Sequence, residues 1–266
     1  MIDQKTQMKI YAHCIVDHSQ AIDNDIEGMG GTRIYNIPYR DIGIVVSHLD
    51  RQTKDVPKEW VLKHEEIEGK LMENFNVLPM RFLTVFNNEK DILGMMKDYH
   101  NDFRMNLDRL RNKVEFGLKI IWSAEEMRRR IINEVDKVDD LASLKDNSLA
   151  KSFMKEKIEK YKVDKALEKE ADRYIVVIDN IFNKLSVEKK LQKLTTENLL
   201  LNASYLVEKE KQKDFKEAFE RAKNTPGDLK YLFSGPWPPY NFVVLIKKPD
   251  IFTPLEILKT MGNTSF

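Results

Sequence analysis

The sequence contains a single cysteine, Cys14. An internal disulfide is impossible, so a secreted, disulfide-stapled framework is excluded. Cys14 lies in the first apolar run and reads as a small core residue, not a nucleophile. Net charge is also lacking: 44 Lys and Arg stand against 43 Asp and Glu, for a formal charge of +1. That balance makes no general case for nucleic-acid binding. The cluster Arg128, Arg129 and Arg130 is short and flanked by acids. No apolar window reaches the length of a membrane span, and MIDQKTQMK at the N-terminus has no long apolar segment behind its positive charges. The expectation is an intracellular, soluble protein. A chain of 266 residues can bury a full core and suggests two domains more readily than one.

Motifs for chemistry are missing too. The glycine-rich loop EGMGGTR (27–33) lacks G-x-G-x-x-G spacing and the Gly-Lys-Ser/Thr end of a phosphate loop, and reads as a plain mobile loop. HEEIE at 64–68 places Glu68 where the zinc motif H-E-x-x-H needs a second histidine. Glu65, Glu66 and Glu68 lie in a lysine-rich helix, with no sign of the distinct environments that an acid–base pair needs. Ser47 and His48 are adjacent in a strand and point to opposite faces. Ser234 lacks the flanks of a nucleophile elbow. No catalytic residue, cofactor or metal is expected.

What is present alternates. MKIYAHCIVD (8–17) and IGIVVSHL (42–49) predict strands. A helix follows over 57–74, opened by Pro57. NVLPMRFLTVF (76–86) contains Pro79 and predicts two short strand pieces, or an edge strand with a turn. A helix capped by Asn88 and the strand KVEFGLKIIW (113–122) complete the rhythm of a ferredoxin-like α/β sandwich with irregularities. From Ser123 to about Leu185 the pattern becomes helical, starting with a capping box of Ser123 and Glu126, with a polar break near DDLASLKDNS. ENLLLNASYLVEKE (197–210), LKYLFSG and NFVVLIKKP predict strands, with a short amphipathic helix over 212–224.

Two stretches stand apart. Arg81 interrupts the apolar run LPMRFLTVF. Alternation would place it on the wet side of an edge strand; arginine's suitability for ordered ion pairs favours a buried or half-buried pair. The second reading is the expectation carried forward, with Glu115 among the candidate acids. SGPWPPYNF (234–242) combines rigid prolines with aromatic rings. Two roles are open: a stiff connector whose Trp237 plugs a core, or an exposed aromatic anchor for a partner. The first is carried forward, with the prolines turning the chain between the strands LKYLF and FVVLI, Gly235 at the tight position, Trp237 largely buried, and the Tyr240 hydroxyl near a polar partner.

GPWPPYNFV (235–243) resembles the near-C-terminal signature of the gas vesicle protein family GvpF/GvpL. YAHCIV (11–16), VLKHEEIEGKLMENFNVLPMRFLTVF (61–86), KVEFGLKI with Glu115 and Gly117, and LLLNASYLV (199–207) with Asn202 resemble further family segments in the same order. Leu83 departs from the pattern, standing where the family commonly has glycine. The resemblance covers about residues 8–247. It implies an α/β (α+β) fold with a modified ferredoxin-like N-terminal domain (1–122). A C-terminal domain (123–248) would combine long helices with a ferredoxin-like α/β part, and 249–266 would be an extension. It also implies a non-enzymatic accessory or minor structural protein of gas vesicle assembly. Such a protein would associate with the small hydrophobic shell protein and other accessory proteins, in the cytoplasm during assembly and at the vesicle. The structural or interaction candidates are Arg81, Glu115, Gly117, Asn202, Gly235, Pro236, Trp237, Pro238, Pro239 and Tyr240. An adaptor in another complex and an enzyme of unrecognised class are the alternatives.

Overall fold

The computed structural model describes residues 8–22, 25–49, 57–139, 149–192, 194, 196–224 and 227–246. The chain divides into two compact units, Met1–Val114 with Trp237–Phe266, and Glu115–Pro236. The architecture is mixed α/β, with sheet regions before and after a long helical section in chain order.

The first unit contains β1 (Lys9–Val16), β2 (Tyr35–Tyr39), β3 (Ile42–Leu49), α1 (Glu59–Asn74), β4 (Val77–Pro79), β5 (Val85–Phe86) and α2 (Glu89–Arg109). Its sheet runs β2-β3-β1-β4, with β5 also pairing β1. The two short strand pieces around Pro79 are thus β4 and β5, which share one side of β1. β2 was not anticipated, because Pro38 interrupts its pattern. Proline is tolerated there because β2 is an edge strand. The register of β1 against β3 slips between Ala12 and Cys14, so His13 is the extra residue of a β-bulge. Alternation therefore skips one position, and Tyr11, Cys14 and Val16 all reach the same apolar cluster.

The helices of this unit follow from local signals. Asn88 caps α2 by accepting from the Asp91 N–H at 3.0 Å. α1 buries His64, Ile67, Glu68 and Leu71, the i, i+3, i+4, i+7 face of an amphipathic helix. Ile67 and Leu71 pack on Tyr11, Cys14, Val45 and Val77. The glycine-rich loop is not the mobile loop expected of it. Met29 is buried, and its N–H donates to Ser47 Oγ at 3.1 Å.

In the second unit the order is β6 (Lys113–Trp122, beginning just before the division), α3 (Ala124–Asp139), α4 (Leu149–Asn183), β7 (Glu188–Leu191), β8 (Leu199–Glu208), α5 (Gln212–Ala222) and β9 (Leu229–Trp237). The expected helical stretch is present as α3 and α4; the polar break between them lies outside the described residues. The Ser123 cap holds, with its Oγ accepting from the Glu126 N–H at 3.2 Å. The sheet order is β7-β8-β6-β9. KVEFGLKIIW therefore does not close the first sheet; it lies inside the second. Its near-continuous burial suits a strand with neighbours on both sides. β7 escaped the sequence reading because EKKL carries almost no apolar signal.

Rings dominate the core of this unit. Phe116 stacks on Phe215 and Phe233 at centroid distances of 5.0 and 5.2 Å, and Phe219 lies 4.3 Å from Phe233. α5 supplies its share through Phe215, Ala218, Phe219 and Ala222, all buried on one helix face.

The strand expected over FVVLI is absent. After β9 the chain makes a 3-10 turn at Tyr240–Phe242, and residues 243–246 are not strand. Pro238 and Pro239 have no N–H to donate to a ladder. The Tyr240 and Phe242 amides turn back onto the carbonyls of Pro238 and Pro239. The prolines therefore do not turn the chain between two strands. Gly235 does occupy a tight position: its φ is +110°, and a Cβ placed there would meet the Glu115 carbonyl oxygen at 2.6 Å. Gly235→Ala is expected to cost on the order of 1–3 kcal/mol, read as a lower urea midpoint. An unchanged midpoint would show that β9 relaxes without penalty.

Candidate functional site

Two features of the first unit meet at one point. The first is a set of polar side chains in its interior. Tyr11, His13, Ser47 and Glu68 are each 0% exposed and His64 2%. Buried polar groups are costly unless paired, and most of these are paired. The Leu83 N–H donates to the Tyr11 hydroxyl at 3.1 Å. That hydroxyl in turn donates to His64 Nδ1 at 3.1 Å. Nδ1 is then the acceptor, which leaves His64 Nε2 to donate to the Met80 carbonyl at 3.2 Å. His13 Nε2 lies 3.0 Å from Ser47 Oγ, and the His13 and His64 rings stack 6.0 Å apart.

Glu68 completes the set. Its Oε1 is 3.4 Å from His64 Nε2, but this is not an ion pair. Burial pushes His64 down to about 4, partly offset by its bond to Met80. Burial also raises the Glu68 carboxyl well above the usual range, with the Tyr240 bond only partly opposing it. His64 is neutral at pH 7, and burial disfavours the charged form of Glu68 as well, because the cost of burying a charge exceeds the attraction between them. His13 falls to about 3, through burial first and the neighbouring His64 second. The Tyr11 hydroxyl and the Cys14 thiol are pushed up by burial, and further by Glu68.

The second feature is the segment after β9. Pro238, Pro239 and Phe242 are buried. Tyr240 keeps 36% of its surface exposed, yet its hydroxyl dips inward and donates to Glu68 Oε2. Beyond it, buried Asn106 of α2 clamps both backbone groups of Val244: Oδ1 accepts its N–H at 2.9 Å and Nδ2 donates to its carbonyl at 2.6 Å. Arg109 donates to the Phe242 carbonyl, and Asp102 accepts the Ile246 N–H at 3.0 Å. This run, Trp237–Ile246, is a strap over the first unit.

The candidates from the sequence are distributed unevenly. Pro238, Pro239 and Tyr240 lie in the strap, and Tyr240 has the polar partner expected of it. Trp237 is half-buried, which corrects the expectation of a largely buried ring: it ends β9 and does not plug a core. Gly235 and Pro236 belong to the second unit, where Gly235 approaches buried Glu115. Gly117 faces Ser234, whose Oγ would lie 2.7 Å from a Cβ at that position. Asn202 is apart from these on β8, donating to Gln192 Oε1 at 3.3 Å. Arg81 is exposed. The burial expected of its pair is corrected on that point. Leu83, the departure from the family's glycine, has φ +66°, the left-handed region that favours glycine.

Sequence reasoning missed Tyr11, His13, Ser47, His64 and Glu68 as a group. The i, i+4 spacing of His64 and Glu68 was visible, but their helix is rich in lysine and glutamate and hid its inward face. The pairing of His13 with Ser47 spans two strands and depends on the bulge.

The arrangement offers little to a substrate. A Ser47–His13 contact superficially suggests a nucleophile and base, but both are fully buried, and His13 Nδ1 has no partner to orient it. Among the described residues no group of three or more His, Cys, Asp or Glu side chains is placed to hold a metal ion. In the second unit an open groove of about 830 Å³ is lined by Phe219, Phe233 and Gly235, with Lys213, Lys216 and Glu217 at its sides. Among the described residues no helix is long and apolar enough to cross a membrane.

The buried histidines make stability depend on acid. Each stays neutral when folded, at about 3 for His13 and about 4 for His64, against 6.5 when unfolded. Their contribution is complete above pH 6.5 and is lost as pH falls toward those folded values. Between pH 6 and 4.5, His13→Asn is therefore expected to flatten the stability–pH slope by about one proton, roughly 1.4 kcal/mol per pH unit; parallel curves for variant and wild type would refute this. Arg81→Ala is expected to shift stability by at most about 1 kcal/mol. A loss of several kcal/mol in chemical denaturation would restore a buried-pair role.

Residues 9–244 match the family described as gas vesicle synthesis protein GvpL/GvpF. Gas vesicle protein F1 of Halobacterium salinarum is 25% identical over 238 residues, covering 88% of this chain and 92% of that one. Gas vesicle protein F of Haloferax mediterranei is 25% identical over 239 residues, covering 88% and 92%. Gas vesicle protein L2 of Halobacterium salinarum is 22% identical over 265 residues, covering 91% and 92%. In fold, the chain is similar to the crystal structure of GvpF from an Anabaena species, with a TM-score of 0.74 at 17% identity, covering 89% of this chain and 98% of that one. GvpF from Microcystis aeruginosa has a TM-score of 0.73 at 17% identity, covering 89% and 99%. The chain belongs to the GvpF/GvpL family of gas vesicle proteins.

Proposed function

We propose that this protein is a non-enzymatic accessory or minor structural component of gas vesicle assembly. It associates with the small hydrophobic shell protein and with other accessory proteins, in the cytoplasm during assembly and at the vesicle itself. The observation that carries this reading is the family match, which runs through both units from residue 9 to residue 244. The side chains support it in a second way. Tyr11, His13, His64 and Glu68, whose protonation is displaced by burial, are sealed in the interior. A general acid or base needs reach to a reacting proton, and these groups serve packing and pairing instead. On the second unit, exposed apolar side chains such as Tyr161, Val176 and Leu191 supply surface of the kind that protein contacts use.

The test joins loss of function to physical capture. Deleting the gene is expected to abolish buoyancy of the host cells, and the tagged protein is expected to retain the shell protein of the same organism in a pull-down. Normal flotation without the gene, together with no capture, would refute the reading. Trp237→Ala refines it. A half-buried ring should cost about 2 kcal/mol, less than the ~3–5 kcal/mol of a fully buried aromatic. Capture at a temperature where the variant is folded is expected to survive. Normal melting with capture lost would make Trp237 a direct contact.

A further inference from the structure

We infer that the free edge of β9, together with the groove beside it, takes an extended, acidic segment of a partner protein as an added strand. The inference names the chemistry of the partner and not its identity, so its failure would leave the proposed function standing.

Two independent features meet here. The first is a sheet edge: β9 ends the order β7-β8-β6-β9, with β6 as its neighbour. In a strand at the end of a sheet, alternate N–H and C=O groups point away from the ladder. Pro236 has no N–H to donate, which limits the usable edge to Leu229–Gly235. The second is the groove of about 830 Å³, walled by Phe233 and Gly235 of β9 and by Lys213, Lys216, Phe219 and Glu220 of α5. A compact ligand favours an enclosed pocket with converging polar groups, and this groove is open. An edge strand with a helix-walled groove beside it suits strand addition, in which main-chain bonds give the pairing and alternate side chains enter the groove.

The side chains of β9 alternate. Tyr231 and Phe233 face α5, where the Phe219 ring lies 6.3 and 4.3 Å from theirs. Lys230 and Leu232 take the other face and are exposed, Leu232 by 55%. An added strand alternates in the same way. One set of its side chains then lies over the Phe219–Phe233 pair and the other beside Leu232. Each set meets apolar surface, and each meets a lysine: Lys216 on the α5 side and Lys230 on the opposite one.

Charge selects the occupant. Three acids line the groove, and each already has a lysine close by: Glu220 has Lys223 at 2.5 Å, Glu217 has Lys213 at 4.0 Å, and Glu210 lies near Lys211. Among the described residues Lys216 and Lys230 have no acid bonded to them. Acidic side chains on the incoming strand would complement these two cations, and basic ones would be repelled. Lysine on an edge strand also discourages the pairing of like edges. A second copy of β9 would bring the same lysine-bearing edge, which disfavours that occupant.

The test uses the full-length protein and a fluorescent, end-blocked peptide of alternating valine and glutamate, about eight residues long, enough to span Leu229–Gly235 at roughly 3.3 Å per residue. Saturable binding by fluorescence anisotropy is expected, with slower amide exchange within β9. Methyl groups on alternate peptide nitrogens block one edge of a strand and leave the other free. Of two peptides methylated on opposite sets, one should lose binding at least about tenfold and the other should keep it. Lys216→Glu, at an exposed position, should leave melting unchanged and weaken binding of the glutamate peptide about fivefold. Absence of saturable binding, two methylated peptides that bind alike, equal binding of a valine–lysine peptide, or an unchanged affinity in Lys216→Glu would each overturn the inference. So would a dimer in sedimentation whose β9 amides are protected without peptide, because the occupant would then be a second copy.

Discussion

The Tyr11 hydroxyl joins three parts of the first unit. It belongs to β1, accepts the amide of Leu83 in the turn between β4 and β5, and donates to His64 on α1. A buried hydroxyl has few ways to satisfy both roles, so the helix and the turn are held at one height on the sheet. His64 passes the constraint on to Met80, and Ser47 ties His13 to the glycine-rich loop through Met29. The bulge at His13 brings these groups and Cys14 into one interior. A slip of one residue would put Tyr11 on the other face and leave His64 Nδ1 unpaired. The polar cluster thus specifies alignment, while the surrounding Ile67, Leu71 and Val77 supply burial.

The core of the second unit is built differently. Its centre is a set of stacked rings from β6, β8, β9, α4 and α5. Aromatic packing buries a large area but directs fewer specific bonds. Close backbone approach then sets the fit, as at Gly235, where a side chain would collide with the Glu115 carbonyl. The proline-aromatic segment therefore has a different task at each end. Gly235 and Pro236 close the second unit, and Pro238 to Phe242 lie on the first.

Leu83 illustrates how a family pattern is read physically. Glycine suits such a position because the backbone there turns into the left-handed region. Here leucine adopts the same φ at a cost of about 1–2 kcal/mol, while its side chain packs on the neighbouring core and its amide serves Tyr11. The turn is needed by the network, so it persists without the residue that makes it easiest.

Much of this architecture was legible in the sequence because its signals are local. Periodicity placed β1, β3, the helices and the strand pieces around Pro79; Asn88 and Ser123 announced their caps; the ordered motifs identified the family. β2 and β7 were not legible, since Pro38 and the charged EKKL conceal pairing that the neighbouring strand imposes. FVVLI reads as a strand by composition, yet Asn106, remote in sequence, takes the backbone groups a ladder would need. For the same reason, no spacing rule revealed that Glu68 meets Tyr240 across 172 positions. The sequence alone determined the helices, most of the strands and the family they compose. Only the tertiary structure decided which polar side chains lose water together, because desolvation depends on every element that closes around a group.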